Sequence, residues 1–279
     1  MFEIKEKRYL NPTVVYMAID APLIAKKAQP GQFVILRISD TGERIPLTVA
    51  DYDAAAGTVS IIFQVVGSTT EQLAHMQVGD ALHDFVGPLG KPTHTDGLHR
   101  VAVVGGGVGC AIAYPVAKKL SSLGCEVHSI IGFREKDLVI LEDEFRAVSR
   151  KTFLMTDDGS AGEKGLVTDA LRRLLEGGET YDEVITIGPL PMMKFVCLLT
   201  REFGVKTIAS MNPIMIDGTG MCGGCRLSVG GKTVFACVDG PEFDGHEIDF
   251  DECMARSTMY APFERERREE TCRLFREDQ

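Results

Sequence analysis

A glycine-rich stretch that carries two cysteines constrains the fold of this chain more than any other feature. It reads Asp217-Gly-Thr-Gly-Met-Cys222-Gly-Gly-Cys225, and a further cysteine, Cys237, follows after eleven intervening residues. Glycine adopts positive φ and allows close backbone approach, so this density of glycines predicts a tightly wrapped loop. The segments Arg226–Val229 and Lys232–Ala236 flank Gly230-Gly231 and predict a hairpin that returns Cys237 to the loop.

The spacing of these residues predicts a metal centre. With a cysteine in place of Asp217 it would be Cys-x4-Cys-x2-Cys…Cys, the spacing that holds a [2Fe–2S] cluster. A carboxylate can replace one thiolate because it is also anionic, although it is a harder donor. We therefore expect Asp217, Cys222, Cys225 and Cys237 to bind the cluster. Two alternatives remain open: a structural zinc site that includes His246 or Asp217, and three unlinked buried thiols.

Composition matters mainly for what it excludes. A formal charge of −10 without a basic stripe argues against nucleic acid as a partner. The N-terminus lacks the apolar core of a signal peptide, and no apolar run reaches the length of a membrane span, so we expect a cytoplasmic protein with no membrane partner. Its 279 residues exceed one ordinary core and predict two domains plus a C-terminal appendage.

Residues 1–98 predict a small antiparallel β-barrel. Short β-branched runs alternate with Gly, Pro and Asp, which is typical of strands joined by turns. A turn at Gly67-Ser-Thr-Thr70 precedes a predicted helix at Glu71–Met76, and unpaired N–H groups at a helix start suit a diphosphate. Ordinary turn and capping chemistry explains the same residues. The candidate cofactor-binding residues of this region are Arg44, Pro46, Leu47, Thr48, Val66, Gly67, Ser68, Thr69 and Thr70.

Residues 99–210 predict a doubly wound domain with a parallel sheet. Strand candidates such as Glu126–Phe133 and Glu183–Ile187 alternate with helix candidates such as Met192–Phe203. A buried strand runs into a glycine-rich turn before a helix, which is a dinucleotide-type element without the usual G-x-G-x-x-G spacing. Ligands of such sheets bind at the carboxyl ends of the strands. The candidate nucleotide-binding residues there are Gly105, Gly106, Gly107, Val108, Gly109, Gly188 and Pro189.

The order of the modules carries a family resemblance. A barrel with Arg44…Thr48, a nucleotide domain with Gly105–Gly109 and Gly188-Pro189, and the Asp217–Cys237 motif together resemble the ferredoxin–NADP+ reductase superfamily with a C-terminal [2Fe–2S] module. Within it the chain is similar to dihydroorotate dehydrogenase electron-transfer subunits. It is also similar to the small subunits of bifurcating NADH-dependent reduced ferredoxin:NADP+ oxidoreductases, also called sulfide dehydrogenase beta subunits. Aspartate at the first ligand position favours the second group.

This resemblance implies the cofactors FAD, a [2Fe–2S] cluster and NAD(H). In the family an Arg-x-x-Ser/Thr motif holds FAD, with the arginine on the diphosphate and the hydroxyl near the flavin ring. Here Arg44 and Thr48 are one residue further apart, so the resemblance assigns Thr48 more firmly than Arg44. It also places Val66–Thr70 on the second flavin loop, Gly105–Gly109 under the nicotinamide nucleotide, and Gly188-Pro189 where many members have Cys-Gly-Pro.

The implied function is electron transfer between NAD(H) and a larger flavin and iron–sulfur subunit linked to NADP(H) and ferredoxin. One alternative keeps the cofactors and makes the partner an NAD-dependent dihydroorotate dehydrogenase. Another is a non-catalytic nucleotide-binding protein with a structural zinc site. The predicted modules are 1–98 for FAD, 99–210 for NAD(H), 211–250 for the cluster and 251–279 for a charged tail. The pairs Glu264/Arg268 and Glu269/Arg273 predict an exposed helix in that tail, and docking on the larger subunit is the alternative.

Overall fold

The first module is a nearly closed antiparallel barrel. The computed structural model describes residues 2–277 and, from residue 272 onward, the backbone only. The strands of the barrel are β1 (Phe2–Asn11), β2 (Val14–Asp20), β3 (Phe33–Arg37), β4 (Ile45–Asp53), β5 (Thr58–Gln64), β6 (Ala81–Leu82) and β7 (Asp84–Leu89), and they pair in the order β6-β1-β2-β5-β4-β3-β7. Two helices belong to it, α1 (Pro22–Ala25) and α2 (Ser68–His75). The antiparallel barrel confirms the predicted fold class of this part of the chain.

Two predictions for the barrel are wrong in detail. Strand β1 is not one of the β-branched runs that predict the barrel, because Lys5, Glu6, Lys7 and Arg8 interrupt the apolar alternation. Helix α2 begins at Ser68 instead of Glu71, because Gly67 is extended and Thr70 Oγ1 accepts hydrogen bonds from the N–H groups of Val66 and Gly67. Residues 68–70 therefore form the first turn of the helix.

The second module is a parallel sheet with helices on both faces. Its parallel strands are β8 (Arg100–Gly106), β9 (Glu126–Phe133), β10 (Lys151–Thr156), β11 (Glu163–Lys164), β12 (Glu183–Ile187) and β13 (Thr207–Ser210). The helices are α3 (Cys110–Ser122), α4 (Glu142–Val148), α5 (Val167–Glu176) and α6 (Leu190–Glu202), with 3₁₀ turns at Gly107–Gly109 and Lys136–Leu138. Strand β8 shows why the sheet is covered on both sides: Val101 and Val103 pack into one core, and Ala102 and Val104 into the other.

The third module completes the sheet of the second. It contains the hairpin β14 (Arg226–Val229) and β15 (Lys232–Phe235), helix α7 (Ala236–Asp239), strand β16 (Glu242–Asp244) and helix α8 (Phe250–Ser257). Strand β16 pairs antiparallel with β13, so the sheet order is β11-β10-β9-β8-β12-β13-β16. The sequence indicated a parallel sheet, but the pairing of β13 with β16 adds one antiparallel strand at its edge. The three residues of β16 are too few to show a strand pattern in the sequence, and they form a strand because they pair with Ile208–Ser210 of β13.

The three modules share packing. One core cluster joins Phe33 and Ile35 of the barrel to Met193 of α6 and to Cys225 and Cys237 of the third module. Side-chain bonds also cross the first boundary, where Lys118 Nζ lies 2.9 Å from Asp51 Oδ2. The relative positions of the modules are therefore fixed by buried contacts, and the predicted domain limits stay predictions.

The charged tail forms helix α9 (Ala261–Glu277), and α9 packs against α2 of the barrel. The described side chains of α9 are mostly exposed, as expected, but Thr271 is buried in that contact. Arg267 pairs with Glu270 at 2.9 Å, whereas Glu264 and Arg268 form no ion pair in the described part of the chain. The side chain of Arg273 lies outside the described side chains. Among the residues that the structure describes, no helix is long and apolar enough to cross a membrane.

Candidate functional site

A cavity of about 1440 Å³ lies where the three modules meet. Single small-molecule sites usually measure about 300–1,000 Å³, so this cavity has room for more than one ligand. Its walls come from β4 and α2 of the barrel, from the carboxyl ends of β8, β9, β10 and β12, and from the segment that follows β13. This position agrees with the rule that ligands of open α/β sheets bind at the carboxyl ends of the strands.

Most of the residues predicted from the sequence line this cavity. Those that do are Pro46, Leu47, Thr48, Val66, Thr70, Gly106, Gly107, Val108, Gly109, Gly188 and Pro189. Five do not: Arg44, Gly67, Ser68, Thr69 and Gly105. Gly105 lies within strand β8, and a Cβ there would lie 2.9 Å from Cys110 Sγ, so its lack of a side chain serves packing. The binding roles assigned to all sixteen residues stay predictions.

The glycine-rich turn is shaped for close backbone approach. A Cβ at Gly109 would lie 2.6 Å from the carbonyl oxygen of Ile187 and 2.7 Å from Gly188 Cα. The two backbone segments therefore touch, which only glycine permits. Gly107 has φ +55°, and a Cβ there would meet open space on the side that lines the cavity. The turn thus presents bare backbone to a ligand, as a nucleotide-binding turn requires.

Several cavity residues were missed or undervalued by sequence reasoning. Asn212 and Met215 belong to the loop after β13, and Phe195 projects from α6 with 60% of its surface exposed. Nothing in their local sequence marks them, because the folding of distant segments places them together. Arg134 and Asp157 also line the cavity, and their positions after β9 and β10 did give a signal.

The candidate cluster loop brings its four predicted ligands together as two pairs. Cys225 Sγ and Cys237 Sγ lie 3.2 Å apart, and both residues are buried. Asp217 Oδ2 accepts a hydrogen bond of 2.8 Å from the N–H of Cys222, which is exposed. Asp217 Oδ1 accepts another from Thr219, and these N–H groups lower the pKa of the carboxyl. Burial raises the pKa of the Cys237 thiol to about 12.

This paired arrangement fits a two-iron cluster better than one zinc ion. Structural zinc needs four ligands that converge on a single ion. Among residues 2–271, no three His, Cys, Asp or Glu side chains are placed to share one metal ion. A [2Fe–2S] cluster distributes its protein ligands over two irons, so two separate pairs suit it. His246, the extra ligand of the zinc alternative, instead bonds through Nε2 to Thr200 Oγ1 at 3.0 Å.

The loop is held by the barrel as well as by its own hairpin. Gly218 has φ +77°, and a Cβ there would lie 2.7 Å from Leu89 Cδ1 and 2.8 Å from Ile35 Cδ1. Gly230 and Gly231 both have positive φ, as a two-residue hairpin turn requires. The predicted hairpin is confirmed. Because the loop rests on β3 and β7, the candidate cluster lies beside the barrel.

Comparison with known proteins agrees with this arrangement. Residues 212–249, which include all four candidate ligands, match the family model described as the iron–sulfur cluster binding domain of dihydroorotate dehydrogenase B. The chain is 32% identical over 257 residues to the dihydroorotate dehydrogenase B (NAD(+)) electron transfer subunit of Fusobacterium nucleatum, covering 89% of this chain and 97% of that protein. This chain belongs to the family of dihydroorotate dehydrogenase B electron-transfer subunits and their homologues.

Two further comparisons give higher sequence identities. It is 48% identical over 258 residues to the electron transfer subunit homolog of Thermotoga maritima, covering 92% of this chain and 91% of that protein. A solved structure of the NADH-dependent reduced ferredoxin–NADP oxidoreductase, studied for flavin-based electron bifurcation, contains a chain with 45% identity and a TM-score of 0.91. That match covers 99% of this chain and 98% of the other. The predicted resemblance is confirmed.

Proposed function

We propose that this protein is a flavin and iron–sulfur electron-transfer subunit that exchanges a hydride with NAD(H) and passes single electrons to or from a larger flavoprotein. The observation that carries this proposal is the single cavity that reaches all three modules. Thr48 lines it from the barrel, Gly109 and Gly188 from the nucleotide domain, and Met211 and Pro241 from the cluster module. A dinucleotide and a flavin bound there would share one cavity.

The barrel side of the cavity fits FAD. Thr48 lies on β4, where its hydroxyl can bond a polar ring edge, and Pro46 and Leu47 offer apolar surface on either side of the same strand. Val66 and Thr70 line the cavity at the start of α2, where N–H groups of the first helical turn lack intrahelical acceptors and favour phosphate. In this proposal Thr48 orients the ring and α2 holds the diphosphate.

The nucleotide side fits NAD(H). Residues 106–109 supply bare backbone beneath a dinucleotide, and Gly188-Pro189 begins the next wall before α6. Ile187 stands where many relatives of the superfamily have cysteine, so no thiol is available at that point. FAD supplies hydride and single-electron chemistry when bound, and the protein contributes position and the exclusion of water.

The loop residues Asp217, Cys222, Cys225 and Cys237 are the proposed cluster ligands. The buried pair Cys225/Cys237 lies against the shared core, whereas Cys222 is exposed, so the loop has an inner side toward the barrel and an outer side toward solvent. An electron carrier with one side near the flavin module and the other at the surface suits transfer to a second protein. One carboxylate among the ligands changes the donor set from that of an all-cysteine site.

We further propose that the larger subunit is one that acts on NADP(H) and ferredoxin. The similarity over 99% of the chain to the bifurcating oxidoreductase structure supports this choice. The alternative partner is a dihydroorotate dehydrogenase, which is supported by the names of the relatives at 31–35% identity. Aspartate at position 217 favours the first partner.

Cofactor analysis and co-purification test the proposal. Protein purified or reconstituted without oxygen should contain one FAD and about two irons per chain. A partner recovered with it should reduce NADP+ with reduced ferredoxin and NADH together; a partner that oxidises dihydroorotate would establish the alternative. One zinc per chain with no flavin would refute the electron-transfer function itself.

A further inference from the structure

The C-terminal helix α9 contacts α2, the helix whose first turn forms part of the proposed flavin loop Val66–Thr70. Helix α9 packs on α2, although more than 180 residues separate them in the chain. The contact is closed to solvent, since Ser68 is 8% exposed and Thr271 is 5% exposed. Ser68 Oγ and Thr271 Oγ1 lie 2.7 Å apart. A buried bond between two hydroxyls is directional, so it fixes the orientation of both helices at this point.

The proton order in this contact follows from its neighbours. Thr271 Oγ1 donates its proton to the carbonyl oxygen of Arg267 at 3.0 Å, one turn earlier in α9. A hydroxyl has one proton, so Thr271 must accept from Ser68. Ser68 Oγ in turn accepts a longer bond of 3.4 Å from Gln72 Nε2. The hydroxyls of Ser68 and Thr271 thus each donate one hydrogen bond and accept another.

The opposite side of the same helical turn faces the cavity. Val66 and Thr70 line the cavity, whereas Ser68 and Thr69 do not. Thr69 Oγ1 donates to the Glu43 carboxylate in the loop before β4. The first turn of α2 is therefore held from behind, by Thr271 through Ser68 and by Glu43 through Thr69. Its cavity side is left for a ligand.

The tail also connects this turn to the cluster module. Helix α8 packs against α6 and β14, and only residues 258–260 separate it from α9. Asp249 caps the N-terminus of α8, and Arg256 near its end donates to the carbonyl oxygen of Gly224 at 3.2 Å. The segment from α8 to α9 therefore bridges the cluster loop and the start of α2.

We propose that Thr271 is a positioning residue for flavin binding. Through Ser68 it holds the first turn of α2 in the orientation that turns its cavity side, where Val66 and Thr70 lie, toward the flavin diphosphate. This inference rests on the proposed function, because it requires that FAD binds at α2. It assigns a role to the charged tail within this chain, separate from any contact with a larger subunit.

Flavin dissociation tests the inference. Thr271→Val keeps the size of the side chain but removes the acceptor of Ser68, and Thr271→Ser keeps the hydroxyl. A hydrogen bond of about 1 kcal/mol corresponds to a roughly fivefold change in an equilibrium or rate. We expect full-length Thr271→Val to release FAD about fivefold faster than wild type, measured by the recovery of flavin fluorescence. Thr271→Ser should restore slow release.

Matched controls separate positioning from general stability. Thr258→Val removes an exposed hydroxyl that bonds only to the carbonyl oxygen of Ala255, and it should leave FAD release unchanged. Ser68→Ala removes the same hydrogen bond from the α2 side. It should accelerate the release of FAD, so it tests the inference even if Thr271→Val does not fold. The double variant Ser68→Ala with Thr271→Val should release FAD no faster than the single variants, because one bond is lost in each case.

The outcomes distinguish this inference from the proposed function. If wild type binds FAD and both Thr271→Val and Ser68→Ala retain it as long as wild type, the positioning role is refuted while the function stands. A lower unfolding temperature of the flavin-free variants with unchanged FAD release would show a purely structural contact and would also refute the role. If wild type binds no FAD under reconstitution, the proposed function fails first.

Discussion

Arg44 Nε donates a hydrogen bond of 2.8 Å to the carbonyl oxygen of Ile216, the residue that precedes Asp217. This bond joins the start of barrel strand β4 to the candidate cluster loop across 172 residues of sequence. Arg44 also lies 3.8 Å from Asp84 Oδ2, a separation that adds little at a partly exposed site. Its hydrogen bond to Ile216 links Arg44 to the cluster loop. Arg44 does not line the cavity, and its role at the flavin diphosphate stays a prediction.

Replacement of Arg44 distinguishes these two roles. We expect Arg44→Met to keep FAD and to alter the visible or paramagnetic spectrum of the cluster, because the backbone beside Asp217 loses its donor. Arg37→Met is the matched control, since Arg37 binds the same Asp84 at 2.7 Å without contacting the loop. A variant that loses FAD while the cluster spectrum is unchanged would instead support the diphosphate role.

Variants of Asp217 test whether its carboxylate binds iron. Asp217→Cys should keep a cluster and change its reduction potential, because a thiolate replaces a harder donor. Asp217→Asn can still accept a hydrogen bond but has no anionic ligand, so its iron content should fall. If Asp217 only accepts the N–H bonds of Thr219 and Cys222, both variants will retain the cluster at an unchanged potential. Iron analysis and redox titration give the answer.

Gly109→Ala should impair the nucleotide side of the cavity. The added methyl group would lie 2.6 Å from the carbonyl oxygen of Ile187, so the turn must move away from Gly188. Overpacking of this kind costs roughly 1–3 kcal/mol, and we expect the KM for NADH to rise about tenfold with FAD still bound. Gly124 lies at a surface turn away from the cavity with φ +85°, so Gly124→Ala is a control that lowers stability through backbone strain and should leave the KM for NADH unchanged. An unchanged KM in Gly109→Ala would contradict the assignment.

Glu242 predicts a pH dependence of stability at the junction of the modules. Burial raises the pKa of this carboxyl to about 7, opposed by a hydrogen bond of 2.7 Å from Thr93 Oγ1 and reinforced by the charge of Glu183. A raised pKa means that the folded state binds the proton more tightly than the unfolded state. The resulting stabilisation is complete below about pH 4.5 and is lost as the pH rises through 7.

Glu242→Gln should remove this dependence. The amide stays neutral at every pH, so the unfolding free energy of the variant should change less between pH 5 and pH 8 than that of wild type. The shift corresponds to at most about 3 kcal/mol. Denaturant unfolding at several pH values measures the difference. Equal pH profiles for the two proteins would show that Glu242 titrates normally in the folded state.

Local sequence patterns were sufficient where a segment determines its own conformation. Glu126–Phe133 and Glu183–Ile187 form strands with the predicted bounds, because segments rich in Val and Ile suit a sheet buried on both faces. The hairpin about Gly230-Gly231 follows from turn chemistry.

The remaining features depend on distant partners. Strand β16 forms because β13 offers it a free edge, and Thr271 is buried because α9 lies on α2. The family resemblance implied the flavin diphosphate as the partner of Arg44, yet its hydrogen bond goes to Ile216. Such contacts bring together residues far apart in the chain, and no local pattern records them.

Anaerobic titration with NADH tests the central claim most directly. Protein that carries FAD and about two irons per chain should show flavin bleaching as NADH is added, followed by reduction of the [2Fe–2S] absorbance. We expect this order because NAD(H) and FAD share the cavity in the proposed function, whereas the cluster loop lies beside the barrel. If NADH leaves the flavin of such a preparation oxidised, this protein does not exchange a hydride between NAD(H) and FAD.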